Sequence, residues 1–392
     1  MTLTGPDRTA QDAPADVAGS RPARRRRRIV LAVVVALLAV LTPVTWSLGQ
    51  AITAPGTDSI SSRVAEWARR HGGGGLVTWL EQRTYTPPKV GGSPASNSPL
   101  RLPESPASNR SRGISAAETL PPVAPPASPP LPGEGRWHVL ETVGGVPAVH
   151  AAYVRPDATH TSYTAAIVRV DQRFVRAVYH PGTQDPGGGP WPIRPDLTGR
   201  DRLGLMAAFN AAFAMRDSRG GFYDFGRTIG SLNPGAASVV IYKDGHVNIG
   251  AWGRDVSLTA DVATVRQNLA LIVDHGHPAP GLEANWQNRW GATIGNAKYV
   301  WRTSLGITAH GDLVFVTGNR LSATTLADLL RRGGAVRAME LDINPYWTSF
   351  VLYRTAAGAQ AERNLLPDMI RSPQRYDTTS LRDFIALYAK TT

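Results

Sequence analysis

The sequence predicts a mixed α+β protein: a mostly antiparallel sheet domain with a few packed helices, preceded by one transmembrane helix and a Pro-rich linker. Three observations lead to this prediction. An uncharged run, residues 29–48, follows a cluster of arginines near the N-terminus. A segment dense in proline and serine separates that region from the rest of the chain. The remainder carries many hairpin signals and few helical ones, which argues against a doubly wound parallel sheet.

The N-terminus has the pattern of a membrane anchor. Residues 1–28 carry seven arginines against three aspartates, and we expect a disordered basic cytoplasmic tail there. As a helix, the uncharged run spans about 30 Å, the thickness of the hydrocarbon core, and predicts a transmembrane helix over residues 29–50. The preceding arginines favour an extracytoplasmic C-terminal part. A cleaved signal peptide is the alternative, but residues 52–54 make a poor cleavage site and the run is long for one.

Composition excludes several classes of function. The chain has no cysteine, which rules out thiol catalysis, cysteine-ligated metals and disulfides. The formal net charge is +12, yet the basic residues beyond the tail are scattered along the chain. The sequence has no basic stripe with interleaved aromatic residues, so we expect no nucleic-acid partner.

Two segments lie between the anchor and the main domain. Residues 55–90 are predicted to form a juxtamembrane helical segment, because Val64, Trp67 and Ala68 have helical spacing and the glycine run 72–75 then breaks it. This segment is too small for its own core and should pack on the main domain or on a partner. Residues 91–135 have the composition of a Pro/Ser-rich linker, which should stay extended and hold the next domain away from the membrane.

The main domain is expected over residues 136–392. Its predicted strands cover residues 138–143, 149–154, 164–170, 174–179, 205–209 and 335–343. Two hairpins are predicted, at Asp244-Gly245 and at His310-Gly311, because glycine supplies the positive φ that a tight turn requires.

Helices are fewer in this domain. The clearest covers residues 324–332, with Ser322 as its N-cap and Gly333 closing it. A second helix is predicted over residues 380–389 from its apolar spacing. Residues 263–274 are apolar and fit either a helix or a strand.

The strand at residues 335–343 is the most informative one. Alternation puts Glu340, Asp342 and Asn344 on one face, with apolar residues on the other. Same-face neighbours lie about 6.6 Å apart, and two carboxylates at that distance raise one another's pKa, which allows an acid and a base to coexist near neutral pH. Glu340 and Asp342 are therefore candidate catalytic residues. The alternative is an edge strand whose polar face is simply wet.

Two further polar positions interrupt apolar strands. Asn210 ends one strand among small residues, where its amide either contacts a ligand or caps the next element. Arg302, followed by Thr303, enters another strand. A buried arginine is costly unless it is paired, and its planar guanidinium suits a carboxylate or a phosphate. The alternative for Arg302 is a surface position.

Four stretches, in this order, resemble the phosphodiester glycosidase family, the relatives of the lysosomal uncovering enzyme. They are Phe209-Asn210-Ala211-Ala212-Phe213, Arg302-Thr303-Ser304-Leu305-Gly306, residues 326–330, and Met339-Glu340-Leu341-Asp342. The resemblance covers roughly residues 200–355. It implies hydrolysis of a sugar-1-phosphodiester, with a glycan or sugar phosphate as the substrate.

The resemblance also implies roles for the candidate residues. Arg302 would hold the anionic phosphate. One of Glu340 and Asp342 would be the general acid or base, and the other would stabilise positive charge that develops on the sugar. A substrate-binding role is expected for Asn210, Thr303 and Asn344, alongside Arg302.

The chain departs from the family directly after Asp342, where it has Ile343-Asn344-Pro345-Tyr346-Trp347 in place of a glycine-rich stretch. Asn210 is likewise followed by alanines instead of glycines. Glycine lets a ligand approach the backbone closely, and these residues do not. The alternative function is therefore a non-catalytic glycan-binding or structural envelope protein with the same fold.

Other chemistries find little support in the sequence. Asp274, His275 and His277 have metal-ligand character, but no third His or Glu stands at a characteristic spacing, so no metal is predicted. The Gly-x-Ser-x-Gly motif of serine hydrolases is missing. No cofactor is predicted. We expect a single-pass membrane protein whose extracytoplasmic domain is a hydrolase.

Overall fold

The computed structural model describes residues 21–53, 59–101, 120–293, 297–356 and 359–390. It divides into two units, Met1–Ala54 and Pro55–Thr392. The helices are α1 (Arg21–Thr53), α2 (Ile60–Arg70), α3 (Gly74–Thr84), α4 (Met215–Ser218) and α5 (Ala323–Arg332). The predicted α+β class is confirmed, because few helices accompany three sheets whose strand pairs are all antiparallel among the described residues.

Helix α1 makes up the described part of the first unit. Its segment Arg25–Thr53 is long and apolar enough to cross a membrane, as an anchor or as a signal sequence. Inside it, the hydroxyls of Thr42 and Thr45 donate to the carbonyls of Leu38 and Leu41, so these polar groups are satisfied within the helix. Of the predicted tail, residues 1–20 lie outside the described residues. Residues 21–28 are helical, since arginine is a good helix former and continues the apolar helix.

The second unit contains eighteen described strands in three sheets. The strands are β1 (Trp137–Val143), β2 (Val146–Val154), β3 (Ala165–Val170), β4 (Val175–His180), β5 (Leu205–Asn210), β6 (Phe222–Asp224), β7 (Arg227–Ile229), β8 (Ala237–Tyr242), β9 (Val247–Ala251), β10 (Val262–Gln267), β11 (Leu271–Asp274), β12 (His277–Pro278), β13 (Val300–Thr308), β14 (Leu313–Leu321), β15 (Ala335–Asp342), β16 (Phe350–Ala356), β17 (Ala359–Asn364) and β18 (Phe384–Ala389). The largest sheet has the order β1-β2-β3-β14-β13-β15-β11-β12. The other two are β7-β6-β10-β8-β9 and β17-β16-β5-β18-β4.

The core explains why the large sheet carries apolar residues on both faces. One apolar cluster joins all three sheets, and in it the rings of Phe209, Phe315 and Phe350 lie 4.9–5.6 Å apart between centroids. A second cluster packs α5 against the opposite face of the large sheet. Ser322 caps α5 as predicted, because its Oγ accepts from the Thr325 N–H at 3.0 Å. A central strand such as β15 is therefore buried on both sides.

Two predicted elements need correction or completion. The helix predicted over residues 380–389 is wrong: strand β18 lies there, paired with β4 and β5. A fully buried strand has apolar residues at every position, including those with helical spacing, so the pattern does not separate the two. The apolar stretch 263–274 contains two strands, β10 and β11.

The described parts of the predicted linker, residues 91–135, pack on the sheet domain instead of standing clear of it. The Gly91 N–H donates to the Thr159 carbonyl, and Val123 is only 2% exposed. Glu134 forms a buried ion pair with Arg155 at 2.8 Å. Proline has no N–H donor, but its carbonyl still accepts hydrogen bonds and its ring is apolar. A proline-rich chain can therefore pack on the surface of a sheet without regular secondary structure. Residues 102–119 lie outside the described residues.

This packing makes Gly135 a sensitive position. It has φ +77°, and a Cβ there would meet the Val123 carbonyl oxygen at 2.0 Å. We expect Gly135→Ala to destabilise the fold by several kcal/mol, or to release the 120–135 segment to proteases, because backbone must move. Gly145→Ala is the matched control, since Gly145 has φ +82° with open space around it and should cost only about 1 kcal/mol. Denaturant unfolding and limited proteolysis measure the two; equal effects would contradict the packed segment.

Candidate functional site

Strand β15 carries the predicted carboxylates in the middle of the large sheet. It lies between β13 and β11, so it is not an edge strand. Glu340 is 1% exposed and Asp342 is 2% exposed. The alternative of an edge strand with a solvent-exposed polar face therefore does not apply. Two buried carboxylates require specific partners, because an unpaired buried charge is strongly unfavourable.

Glu340 is paired with Arg302. The Arg302 Nη1 donates to Glu340 Oε1, and its Nε donates to the Leu321 carbonyl at 2.9 Å. Burial raises the pKa of Glu340 to about 7, while Arg302 lowers it and the Asp342 charge raises it further. The other carboxylate oxygen, Oε2, is buried and has no hydrogen-bond partner among the described residues. Arg302 is thus a buried residue, and its guanidinium is paired with a carboxylate of the protein itself.

Asp342 stands at the C-terminal end of the same strand. Its Oδ1 accepts from the Asn344 N–H at 2.8 Å, and its Oδ2 lies 3.4 Å from Nη2 of Arg382. Burial raises the pKa of Asp342 to about 6. Arg382 and the backbone N–H groups of the following residues oppose that shift, and the Asp383 charge adds to it. The carboxylate is consequently suited to gain or lose a proton near neutral pH.

Asn210 and Thr303 tie three strand ends together beside Asp342. Asn210 Nδ2 donates to Thr303 Oγ1 at 2.9 Å, and Asn210 Oδ1 accepts from the Ser349 N–H at 3.0 Å. The Asp342 N–H donates to Thr303 Oγ1 at 3.1 Å. Both side chains are therefore used within the protein to fix where β15 ends.

The loop after Asp342 is a compact turn organised by Asn344. Its Oδ1 accepts from the Tyr346 N–H at 2.9 Å, and its carbonyl accepts from the N–H groups of Trp347 and Thr348. Asparagine stabilises turns in this way without needing glycine. Tyr346 and Trp347, within this turn, line the wall of a cleft.

This cleft has a volume of about 840 Å³ and is lined by Asp342. Its wall also includes Asn344, Tyr346, Trp347 and several arginines. The arginines that line it are Arg69, Arg216, Arg219, Arg320 and Arg382. Of the predicted site residues, Asp342 and Asn344 reach the cleft. The others, Asn210, Arg302, Thr303 and Glu340, lie buried behind it at 4% exposure or less.

Sequence reasoning missed Arg382. Its Nη2 donates to the Ala212 carbonyl at 2.9 Å, its Nε lies 3.3 Å from Asp185 Oδ2, and its guanidinium lies 5.0 Å from the Trp347 ring centroid. The available signal was the pair Arg382-Asp383 inside an apolar C-terminal segment. Two adjacent opposite charges that precede a buried strand indicate buried partners elsewhere in the chain.

Backbone strain concentrates at the cleft. Among the described residues, eight non-glycine positions have positive φ, and four of them line it: Arg219, Leu269, Asn288 and Arg320. Such conformations cost about 1–3 kcal/mol each and cluster at functional sites. The strain supports this cleft as the functional site.

The predicted absence of a metal cluster was based on residues 274–277. Within the described part of the chain, no group of three or more His, Cys, Asp or Glu side chains is arranged to hold a metal ion. Asp274 is instead paired with Arg254 at 2.7 Å, and His277 is exposed.

Comparisons with known proteins give a distant structural similarity. No family model matches the chain, and no curated protein matches it. The zebrafish N-acetylglucosamine-1-phosphodiester alpha-N-acetylglucosaminidase catalytic domain, auto-inhibited by pro-peptide, matches at 16% identity and a TM-score of 0.42, over 65% of this chain and 88% of that chain.

Two further solved structures match with lower scores. A hypothetical protein from Synechocystis has 13% identity and a TM-score of 0.38, over 64% of this chain and 64% of its own. An exported protein from Burkholderia pseudomallei has 11% identity and a TM-score of 0.28, over 59% and 75% respectively.

The raised pKa of Asp342 predicts a pH-dependent stability. A carboxyl whose pKa is higher in the folded state stabilises the fold at low pH, and this contribution is lost as pH rises through about 6. Relative to wild type, Asp342→Asn should therefore gain on the order of 2–3 kcal/mol between about pH 4 and pH 8. Urea unfolding of both proteins across that range measures the difference. A constant difference would contradict a buried, titrating Asp342.

Proposed function

We propose that the protein is a membrane-anchored extracytoplasmic hydrolase that cleaves the glycosidic bond of a sugar-1-phosphodiester in a cell-envelope glycan or glycoconjugate. The observation that carries this proposal is a buried carboxylate, Asp342, with its pKa raised to about 6, on the wall of an arginine-lined cleft. The resemblance of four sequence stretches to phosphodiester glycosidases supports the substrate class.

In this proposal Asp342 is the group that acts on the reacting bond. Near neutral pH it can accept a proton from an attacking water or donate one to the leaving phosphate. Glu340 is the second carboxylate of the pair and is balanced by Arg302; the Asp342 charge raises the pKa of Glu340, so the two carboxylates are coupled. Asn210 and Thr303 position Asp342, and Asn344 shapes the wall that the substrate meets.

The phosphate-binding role passes to the arginines that line the cleft. Arg302 already binds Glu340, and Arg382 is buried and paired with Asp342 and Asp185. Arg320, which lines the cleft and is only partly buried, is better placed to hold an anionic group that enters from solvent. Tyr346, which lines the cleft and is only partly buried, provides an aromatic ring against which a sugar ring can stack.

The membrane attachment belongs to the same proposal. We assign α1 as an uncleaved anchor, with the arginines that precede its apolar part on the cytoplasmic side. The unit from Pro55 onward then lies outside the cytoplasm.

The test is an assay of the full-length protein on three substrates: a glycosyl-1-phosphodiester, a glycoside without phosphate, and a phosphodiester without a sugar. We expect release of free sugar from the first substrate alone. Turnover of the phosphodiester without a sugar would refute glycosidic cleavage.

The alternative is a non-catalytic glycan-binding or structural envelope protein. The loop after Asp342, with Pro345, Tyr346 and Trp347 in place of glycines, is the observation that favours it. This alternative expects sugar phosphate to bind with measurable heat in calorimetry while no product forms.

A further inference from the structure

Helix α3 presents a stripe of exposed apolar side chains. Leu76, Trp79 and Leu80 are 62%, 47% and 50% exposed, and with Arg83 they follow the i, i+3, i+4, i+7 spacing of one helical face. Val77, on another face, is 8% exposed. The apolar stripe therefore points away from the protein that surrounds the helix.

The residue types of this stripe suit the boundary between lipid and water. The Arg83 guanidinium lies 4.5 Å from the Trp79 ring centroid, so a cation and an indole stand side by side. Tryptophan prefers the membrane interface, and arginine can pair with lipid phosphates there. Residues 60–84 contain four arginines against two glutamates, which favours an anionic lipid surface.

The short connection between α1 and α2 indicates what covers the apolar stripe of α3. Thr53 ends α1 and Ile60 begins α2, and the six residues between them keep these two ends at most about 25 Å apart even when extended. If α1 crosses the bilayer, α2 and α3 are held close to its surface. A membrane is thus the apolar partner that this segment meets first.

We propose that the stripe Leu76–Trp79–Leu80–Arg83 of α3 inserts into the lipid headgroup region and holds the cleft at the membrane surface. Arg69, Gly74, Thr84 and Tyr85, from the same helical segment, line the cleft. The inference rests on the proposed anchoring by α1 and is independent of the proposed hydrolysis.

The absence of cysteine from the chain allows a direct test by single nitroxide labels. Leu80→Cys reports on the stripe. Leu258→Cys is the matched control, because Leu258 is 49% exposed and lies in the sheet domain. Leu38→Cys, within α1, reports on anchoring. The full-length protein is placed in vesicles of phosphatidylethanolamine and phosphatidylglycerol, and collisions with oxygen and with a water-soluble nickel chelate are measured.

We expect the label at Leu80 to collide with nickel several-fold less often than the label at Leu258, and to collide with oxygen more often. Nickel access equal to that at Leu258, with Leu38 in lipid, would overturn this inference alone. Shielding of Leu80 from both reagents would overturn it in favour of a protein partner or a second copy. A nickel-accessible Leu38 would refute the anchoring and this inference with it.

Discussion

Asp342→Asn should lower kcat for glycosyl-1-phosphodiester cleavage by about 10²–10⁴, the usual contribution of a positioned general acid or base. The substituted amide keeps an oxygen that can accept the Asn344 N–H, so the turn after β15 should survive. The amide neither gains nor loses a proton, and catalysis is lost for that reason. Steady-state kinetics across pH measure the effect, and wild-type activity should change with an apparent pKa near 6.

Asp217→Asn is the matched control for this prediction. It makes the same chemical change at another carboxylate that lines the cleft, one whose side chain is 60% exposed and lies 3.4 Å from Arg216. Its kcat should stay close to that of the wild type. If both substitutions reduce kcat equally, the effect comes from cleft charge in general, and the assigned role of Asp342 is wrong.

Arg302→Ala should lower the free energy of unfolding by about 3–5 kcal/mol, because it leaves the Glu340 carboxylate buried without its partner. The guanidinium also donates to the Leu321 carbonyl, which would lose that bond. Urea unfolding of the full-length chain in detergent measures the loss. An arginine that served only to bind substrate would instead raise KM and leave unfolding unchanged.

Two companion variants make the second prediction specific. Arg302→Met combined with Glu340→Leu removes both charges and fills the space, and most of the lost stability should return. Arg173→Ala removes an arginine whose side chain is 73% exposed and should change stability by less than about 0.5 kcal/mol. A double variant as unstable as Arg302→Ala alone would show that the buried charge is not the cause.

Local signals predicted much of the fold. Helix α5 follows from the Ser322 cap and its leucine stripe, and the Asp244-Gly245 turn joins β8 and β9 as expected. Strand β18 could not be predicted in this way. Leu381, Phe384, Ile385 and Tyr388 have helical spacing. The last three are buried because neighbouring strands and other parts of the core cover the strand on both faces, which is a tertiary effect.

The residues of the candidate site likewise fall into those that local sequence pattern could identify and those that depend on tertiary contacts. Alternation along one strand was enough to identify Asp342 as a carboxylate to examine, because that signal is local. Arg382 contacts Asp342 across 40 residues of chain, so no spacing rule could have found it. Local pattern likewise could not reveal that Arg302 turns inward to Glu340, since their contact depends on the pairing of β13 with β15.

Cleavage in water enriched in oxygen-18 tests the central claim most directly. Attack at the sugar carbon places the heavy oxygen on the released sugar and leaves the phosphate monoester unlabelled. We expect that distribution for the wild-type protein, and formation of labelled sugar about 10²–10⁴ times slower for Asp342→Asn. Heavy oxygen in the phosphate would mean that the bond to phosphorus is cleaved. If the wild type formed no labelled product, the protein would bind the substrate without cleaving it. Either result would contradict a glycosidase centred on Asp342.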